Sequence, residues 1–121
     1  VNSFGVLHHV ADTKKSISVV SRLLKPGGQA RIMLYHRYSL NELVHRLLSV
    51  PFEDKNELCP VVRRFTVKET YSLFKEFNDV KIKIDYVYGE GYGRRFSLTP
   101  RWLYNFMSRH WGWHLMIVAT K

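Results

Sequence analysis

The sequence is poor in cysteine and lacks both a long apolar run and a recognisable leader. Cys59 is the single cysteine among 121 residues, so an internal disulfide cannot form. A lone thiol is typical of reducing compartments, and we expect a cytoplasmic location. Charged residues interrupt each apolar stretch well before the ~20 residues that a membrane helix needs. No basic segment followed by an apolar one opens the chain, so no signal peptide is predicted.

Acidic residues are also scarce relative to basic ones. The chain has 19 Lys and Arg against 10 Asp and Glu, for a formal net charge of +9. Such a balance attracts nucleic acid, anionic lipid or an acidic substrate. However, the basic residues are dispersed, with pairs such as Lys14-Lys15 and Arg94-Arg95 instead of a stripe. An uneven share of a longer, more balanced chain explains the charge equally well.

Hydrophobic residues make up 45% of the chain, which predicts one folded globular domain rather than disorder. The first residues, Val1 to Gly5, are typical of the end of a strand. An amphipathic helix is predicted from Asp12 to Leu24, with Asp12 or Thr13 as its N-cap. Lys25 to Gly28 ends this helix. Gln29 to Tyr35 then forms a short apolar strand, suited to a sheet covered on both faces.

Three further helices are predicted in the rest of the chain. The first carries one apolar stripe, formed by Leu40, Leu43, Val44, Leu47 and Leu48. Thr66 and Glu69 form a capping box that opens the second helix, which we expect to run through Phe77. Its inner face would carry Tyr71, Phe74 and Phe77. Thr99-Pro100 begins the third helix, and a polar loop is predicted at residues 51–60.

Two strands complete the predicted sheet. Val80 to Tyr88 alternates apolar and polar residues, which indicates a strand with one mainly wet face. Trp113 to Thr120 is a mostly apolar run suited to a buried last strand, and we expect these two strands to pair antiparallel. The predicted class is therefore α/β, with parallel strands followed by an antiparallel pair.

Two segments carry a resemblance to a known family. Ser3 to Val10 has the sequence SFGVLHHV, and Arg22 to Gly28 has the sequence RLLKPGG. In this order and at this separation they resemble class I methyltransferases that use S-adenosylmethionine. In that family a strand ends in a vLxHv-like turn, and a helix ending in RvLKPGG precedes the next strand. The later RFTxxE and LFxxF patterns, within 64–77, resemble the same family, and the likeness is strongest over residues 3–38.

The resemblance implies a Rossmann-like sheet and S-adenosyl-L-methionine as cofactor. The family's G-x-G-x-G turn and its two acidic residues, which hold most of the cofactor, belong upstream of Val1. We therefore expect residues 1–121 to be a single partial domain, the C-terminal part of a methyltransferase without its N-terminal cofactor-binding half. Gly89 to Gly93 has a similar glycine spacing, but no helix with a later acidic partner follows it directly. A substrate-side loop or a plain turn is favoured there.

Ligands of open α/β sheets bind beyond the carboxyl ends of the strands. The turn at Asn2–His9 and the dipeptide Tyr35-His36 are expected to share that edge. The resemblance implies that Ser3 and Phe4 approach the methionine part of the cofactor. Tyr35 and His36 either contact the methyl acceptor or pack against the following helix.

The cofactor brings the electrophile and the leaving group, so the protein aligns the reactants and removes a proton from the acceptor. A histidine titrates near neutrality and suits that role. His8 and His9 are the candidate bases, with His8 preferred. Alternatively His9 contacts the cofactor, or one of the two only packs at the turn. His110 and His114 lack further ligands at suitable spacing, so no metal site is predicted.

The methyl acceptor is not identified by the sequence and is either a small molecule or RNA. The alternative function is a basic RNA-binding module or a non-catalytic interaction module. It is supported by the charge and by interleaved Tyr, Trp and Arg between Tyr86 and Trp113. Such binding weakens steeply with salt. Exposed tryptophans stack on bases, but Trp102, Trp111 and Trp113 are expected to cover an edge of the core instead.

Overall fold

The structure is a computed structural model in which residues 1–48, 61–88 and 98–121 are described. The predicted polar loop at 51–60, Cys59 and the glycine-rich segment from Gly89 to Gly93 lie outside these ranges. Among the described residues the elements, in chain order, are β1 (Asn2–Phe4), α1 (Thr13–Leu23), β2 (Gln29–His36), α2 (Leu40–Leu47), β3 (Arg64–Phe65), α3 (Val67–Leu73), β4 (Asp79–Asp85), α4 (Arg101–Trp111) and β5 (His114–Thr120). None of these helices is long and apolar enough to cross a membrane.

The strands form one mixed sheet in the order β1-β2-β5-β4. β1 runs parallel to β2, with Ser3 opposite Ile32. β5 lies between β2 and β4 and is antiparallel to both. The predicted pairing of the last two strands is confirmed, and so is the α/β class with parallel strands followed by an antiparallel pair.

One face of the sheet forms the core. The register places Leu34, Leu115 and Ile84 side by side on neighbouring strands, so their side chains make one apolar layer. α1 and the end of α3 cover this layer through Ile17 and Phe74, which are almost fully buried. The buried core contains Ile17, Ala30, Ile32, Leu34, Phe65, Phe74, Phe77, Leu115, Ile117 and Ala119.

The opposite face of the sheet is more open. Lys81 and Lys83 are exposed there, which confirms the predicted wet face of β4. Phe4 is 51% exposed on the same side. β2 does not have the continuous cover predicted for both faces, because Arg31 is exposed and Met33 only partly buried. Both faces of β2 are covered only at its carboxyl end, where the candidate functional residues lie.

The short strand β3 was not predicted. It pairs in parallel with the end of β2, with Arg64 opposite Tyr35. β5 pairs with one edge of β2, so β1 and β3 both pair with the other edge, one after the other. The Arg63 amide donates a hydrogen bond to the His8 carbonyl oxygen at 2.8 Å. Through its guanidinium Arg63 also donates to the Ala11 carbonyl. The segment around β3 thus fixes the turn that follows β1.

Helix termini follow the predicted chemistry more closely than helix faces do. The Asp12 side chain accepts a hydrogen bond from the Lys15 amide at 2.9 Å and caps α1, and the capping box of Thr66 and Glu69 at α3 is present. However, α3 ends at Leu73, before the predicted Phe77. The chain turns there because both Phe74 and Phe77 enter the core.

The prediction that Tyr71 faces inward is wrong, since its side chain is 48% exposed. Thr70 takes the inner position instead and is fully buried. Its hydroxyl donates a hydrogen bond to the Thr66 carbonyl oxygen at 2.9 Å. A threonine whose hydroxyl is satisfied within the helix can be buried at little cost.

Two groups of apolar side chains predicted to be covered are exposed. On α2, the stripe leaves Leu43 53%, Leu47 74% and Leu48 67% exposed. On α4, Trp102 is 71% exposed, so the expectation that it covers an edge of the core is wrong. Both helices present their apolar stripes away from the sheet.

Gly112 gives a test of the contact between α4 and β4. A Cβ atom at this position would overlap the backbone carbonyl oxygens of Asp85 and Ser108. We expect Gly112→Ala to lower the free energy of unfolding by about 1–3 kcal/mol, as overpacking does. Urea denaturation measures the change, and Asn105→Ala, at an exposed position of α4, is the control. Equal stability of Gly112→Ala and the wild type would contradict the close approach of the two backbones.

Candidate functional site

Four segments deliver side chains to one edge of the sheet. Because β5 is antiparallel, its first residue, His114, lies opposite Tyr35 near the end of β2 and opposite Asp85 at the end of β4. The turn after β1 reaches the same edge. We call the resulting group of rings the imidazole–aromatic cluster, which consists of His8, His9, Tyr35, Tyr86, Trp113 and His114.

The contact between His8 and Tyr35 joins the two predicted site segments. Their ring centroids are 3.8 Å apart, and the rings are tilted by 32°. The His9 ring lies 4.1 Å from that of His8. Tyr35 also stacks on Trp113, with centroids 4.8 Å apart and an angle of 30°. The expected meeting of the SFGVLHHV turn with the end of β2 is therefore found.

A second stack forms where β4 ends and β5 begins. The Tyr86 and His114 rings are almost parallel, at 5°, with centroids 4.8 Å apart. Tyr86 has a φ of 62°, a left-handed conformation that costs a non-glycine residue roughly 1–2 kcal/mol. The Asp85 carboxylate stabilises it by accepting a hydrogen bond from the Tyr86 amide at 2.9 Å. The Tyr86 carbonyl in turn accepts from the Trp113 amide at 2.9 Å.

His8 is held in its neutral form. Its side chain is fully buried, and neither ring nitrogen makes a hydrogen bond of normal geometry with the described residues. Burial lowers the pKa of His8 to about 4, and the neighbouring His9 acts in the same direction. The backbone of Met33 offsets part of this effect on the pKa. At neutral pH His8 is therefore an uncharged ring beneath the more accessible His9.

His9 is oriented by a main-chain hydrogen bond. Its Nδ1 lies 3.0 Å from the carbonyl oxygen of Val61. A carbonyl oxygen only accepts, so Nδ1 carries the proton and donates it. In neutral His9 the lone pair then resides on Nε2. The His9 ring is partly exposed, and it therefore presents an accessible basic nitrogen at the edge of the sheet.

The end of β1 offers an open, largely apolar surface. Phe4 is 51% and Val6 55% exposed, and Gly5 between them has a φ of 74° with no atom within 4 Å of an added Cβ. Ser3 is partly buried and shares the face of Ile32. Exposed apolar side chains and an accessible glycine backbone leave this surface open to contact with a small molecule.

The structure separates Tyr35 from His36, which the sequence analysis treated together. Successive strand residues point to opposite faces, so Tyr35 joins the cluster and His36 does not. His36 is buried, and its Nδ1 donates to the Gly112 carbonyl oxygen at 3.0 Å. Burial lowers the pKa of His36, against the opposing effect of the Gly112 carbonyl. His36 thus links the end of β2 to the segment between α4 and β5.

Sequence reasoning missed three members of the cluster: Tyr86, Trp113 and His114. Burial lowers the pKa of His114, while the charge of Asp85 acts in the opposite direction. The predicted antiparallel pairing contained a usable signal, because it puts the start of the last strand at the carboxyl ends of the parallel ones. The described residues include no group of three His, Cys, Asp or Glu side chains able to hold a metal ion.

Comparison with solved structures finds a similar fold. The chain is similar to a structure from Thermotoga maritima described as a SAM-dependent methyltransferase, possible histamine N-methyltransferase, with a TM-score of 0.60 and 16% identity. The similarity covers 99% of this chain and 54% of that one, so this chain spans about half the length of its structural neighbour. The fold is therefore methyltransferase-like. No protein-family model and no curated protein matches the sequence.

The lowered pKa of His8 predicts acid sensitivity. As the pH falls below about 6.5, the unfolded chain takes up a proton at this residue, whereas the folded chain does so only near pH 4. The free energy of unfolding should therefore fall across this window, by up to about 1.4 kcal/mol per pH unit for His8. Burial also lowers the pKa of His36 and of His114, so these residues too should lower the free energy of unfolding as the pH falls.

Urea denaturation between pH 4.5 and 7.5 measures this dependence. We expect His8→Leu to reduce the slope of unfolding free energy against pH, since the titrating group is removed. His110→Gln, which changes an exposed side chain on α4, is the control. A slope that His8→Leu leaves intact would mean that His8 binds its proton equally well in both states.

Proposed function

We propose that this chain is the C-terminal part of a domain that transfers a methyl group from S-adenosyl-L-methionine. The observation that carries the proposal is the His8–Tyr35 contact, at 3.8 Å, on the carboxyl edge of a methyltransferase-like sheet. Ligands of such sheets bind at this edge. Because the chain spans about half of its structural neighbour, we infer that a longer chain supplies the remaining cofactor contacts.

The proposed cofactor contacts are Ser3, Phe4 and His9. They follow the resemblance, and the exposure of Phe4 and the accessible backbone at Gly5 support them. S-adenosyl-L-methionine supplies an electrophilic methyl group and a thioether leaving group. The chain's own residues would hold the methionine part against the end of β1 and present His9 to the acceptor.

Between the two candidate bases, we infer that His9 takes the acceptor proton at Nε2. His8 has no exposed surface through which to reach an acceptor. The Nδ1 bond to the Val61 carbonyl leaves Nε2 of His9 unprotonated in the neutral ring. His8 supports this role because it remains neutral, so that no fixed positive charge opposes a proton on His9. His8 was the preferred base from the sequence, but the burial of its side chain favours His9 instead.

For acceptor contact, Tyr35 is the stronger of the two predicted residues. Its ring belongs to the cluster and packs between His8 and Trp113. The His36 side chain is engaged with the Gly112 carbonyl on the opposite face, which favours the packing role for this residue. Histamine, named in the description of the structural neighbour, is a reasonable first acceptor to assay.

Calorimetric titration with S-adenosyl-L-methionine tests the division of the cofactor site. We expect this chain alone to bind at least about tenfold more weakly, or about 1.4 kcal/mol less favourably, than a longer chain that includes the upstream sequence. The reason is that the family resemblance implies that most cofactor contacts lie upstream of Val1. If the two chains bound the cofactor with equal affinity, the cofactor site would lie entirely within this chain, which would contradict the proposal.

In the longer chain, His9→Gln tests the proton-transfer step. Glutamine can still donate a hydrogen bond to the Val61 carbonyl but cannot accept the acceptor's proton. We expect kcat to fall by about 10²–10⁴-fold, as for loss of a general base, with KM nearly unchanged. Methyl transfer to histamine is measured first, with His110→Gln as control. A wild-type kcat in His9→Gln would remove His9 as the base.

A further inference from the structure

A groove of about 460 Å³ is lined by residues that are not part of the imidazole–aromatic cluster. It is formed by the loop after β2, by α2 and by the end of α4. None of its residues was predicted to bind a ligand. The residues that line it are Arg37, Tyr38, Ser39, Leu40, Glu42, Leu43, Arg46, Met107 and Trp111. Its volume lies within the range of small-molecule pockets, roughly 300–1,000 Å³.

The walls of the groove are apolar side chains that nothing in the described structure covers fully. Leu43 comes from α2, while Met107 and Trp111 lie one turn apart on α4. Leu43 is 53% exposed, Trp111 47% and Tyr38 67%. Removing such surfaces from water is favourable in proportion to the apolar area buried. The groove therefore favours a ligand with an apolar body.

The charge at the groove is unbalanced. Glu42 pairs with Arg64 at 2.7 Å, and Arg37 pairs with Glu69 at 3.0 Å, so these two lining residues each have an oppositely charged partner. Arg46 differs, because no carboxylate within 1–48, 61–88 or 98–121 pairs with it. One positive charge beside apolar walls favours an anionic group over a neutral or cationic one.

We propose that this groove binds a small molecule with an alkyl or aryl body and one carboxylate. The body lies between Leu43 and Trp111, and the carboxylate contacts the guanidinium of Arg46. A planar guanidinium suits a carboxylate because it can donate two parallel hydrogen bonds. The concave shape favours a small ligand over a flat protein surface. This site does not depend on methyl transfer, since it lies outside the cluster proposed for that reaction.

Three ligands of equal length separate the contributions of charge and apolar surface: octanoate, 1-octanol and octylammonium. Calorimetry with this chain should give saturable one-to-one binding of octanoate, weaker binding of octanol and the weakest binding of octylammonium. Arg46→Gln should weaken octanoate about tenfold or more, as loss of a charged hydrogen-bond donor does, and leave octanol unchanged. Leu43→Asp should abolish binding of octanoate and octanol.

Arg22→Gln, at an exposed arginine of α1, is the matched control and should bind octanoate like the wild type. Thermal unfolding verifies that each variant is folded. Equal octanoate affinity of Arg46→Gln and the wild type would overturn the carboxylate assignment. Absence of saturable octanoate binding would overturn the site. If sedimentation velocity also showed a dimer that Leu43→Asp dissociates, the groove would belong to a second copy of the chain.

Discussion

The pairing of β5 with both β2 and β4 fixes the core and the candidate site together. Leu115 faces the core, while its neighbour His114 lies beside Tyr35 at the carboxyl edge. Because side chains alternate along a strand, a slip of one residue would exchange these two environments. It would bury an imidazole among leucines and expose an aliphatic side chain. The apolar pattern of β5 therefore specifies the register that also assembles the imidazole–aromatic cluster.

Two histidines of the cluster, His8 and His114, can pack closely because burial favours their neutral forms. Desolvation is the largest cause that lowers the pKa of each, and it also lowers the pKa of His36 outside the cluster. Neutral imidazoles pack like other aromatic rings, whereas neighbouring imidazolium ions repel one another. His9 differs, since it is partly exposed and has a hydrogen bond that selects its tautomer. A buried, neutral His8 packed against an accessible His9 is a suitable arrangement for accepting a proton on His9.

Features fixed by nearby residues were predictable from the sequence, whereas the short strand β3, which depends on a distant partner, was not. The Asp12 cap and the Thr66 capping box depend on residues three positions apart. β3 depends on β2, almost thirty residues earlier, and its two-residue length gives no periodicity. The apolar stripe on α2 predicted burial, but Leu43, Leu47 and Leu48 are exposed. Its exposure depends on where the helix sits, which no local pattern contains.

The two proposed sites share one structural junction. At the end of β2, Tyr35 contributes to the cluster and Tyr38 to the groove. At the junction of α4 and β5, Trp113 contributes to the cluster and Trp111 to the groove. His36 connects the two segments: its amide donates to the Trp113 carbonyl at 2.7 Å, and its ring donates to the Gly112 carbonyl. Because His36 is buried and makes both of these hydrogen bonds, it holds the end of β2 at a fixed distance from the segment between α4 and β5. The backbone that carries Trp111 and Trp113 is therefore anchored to the end of β2 through His36.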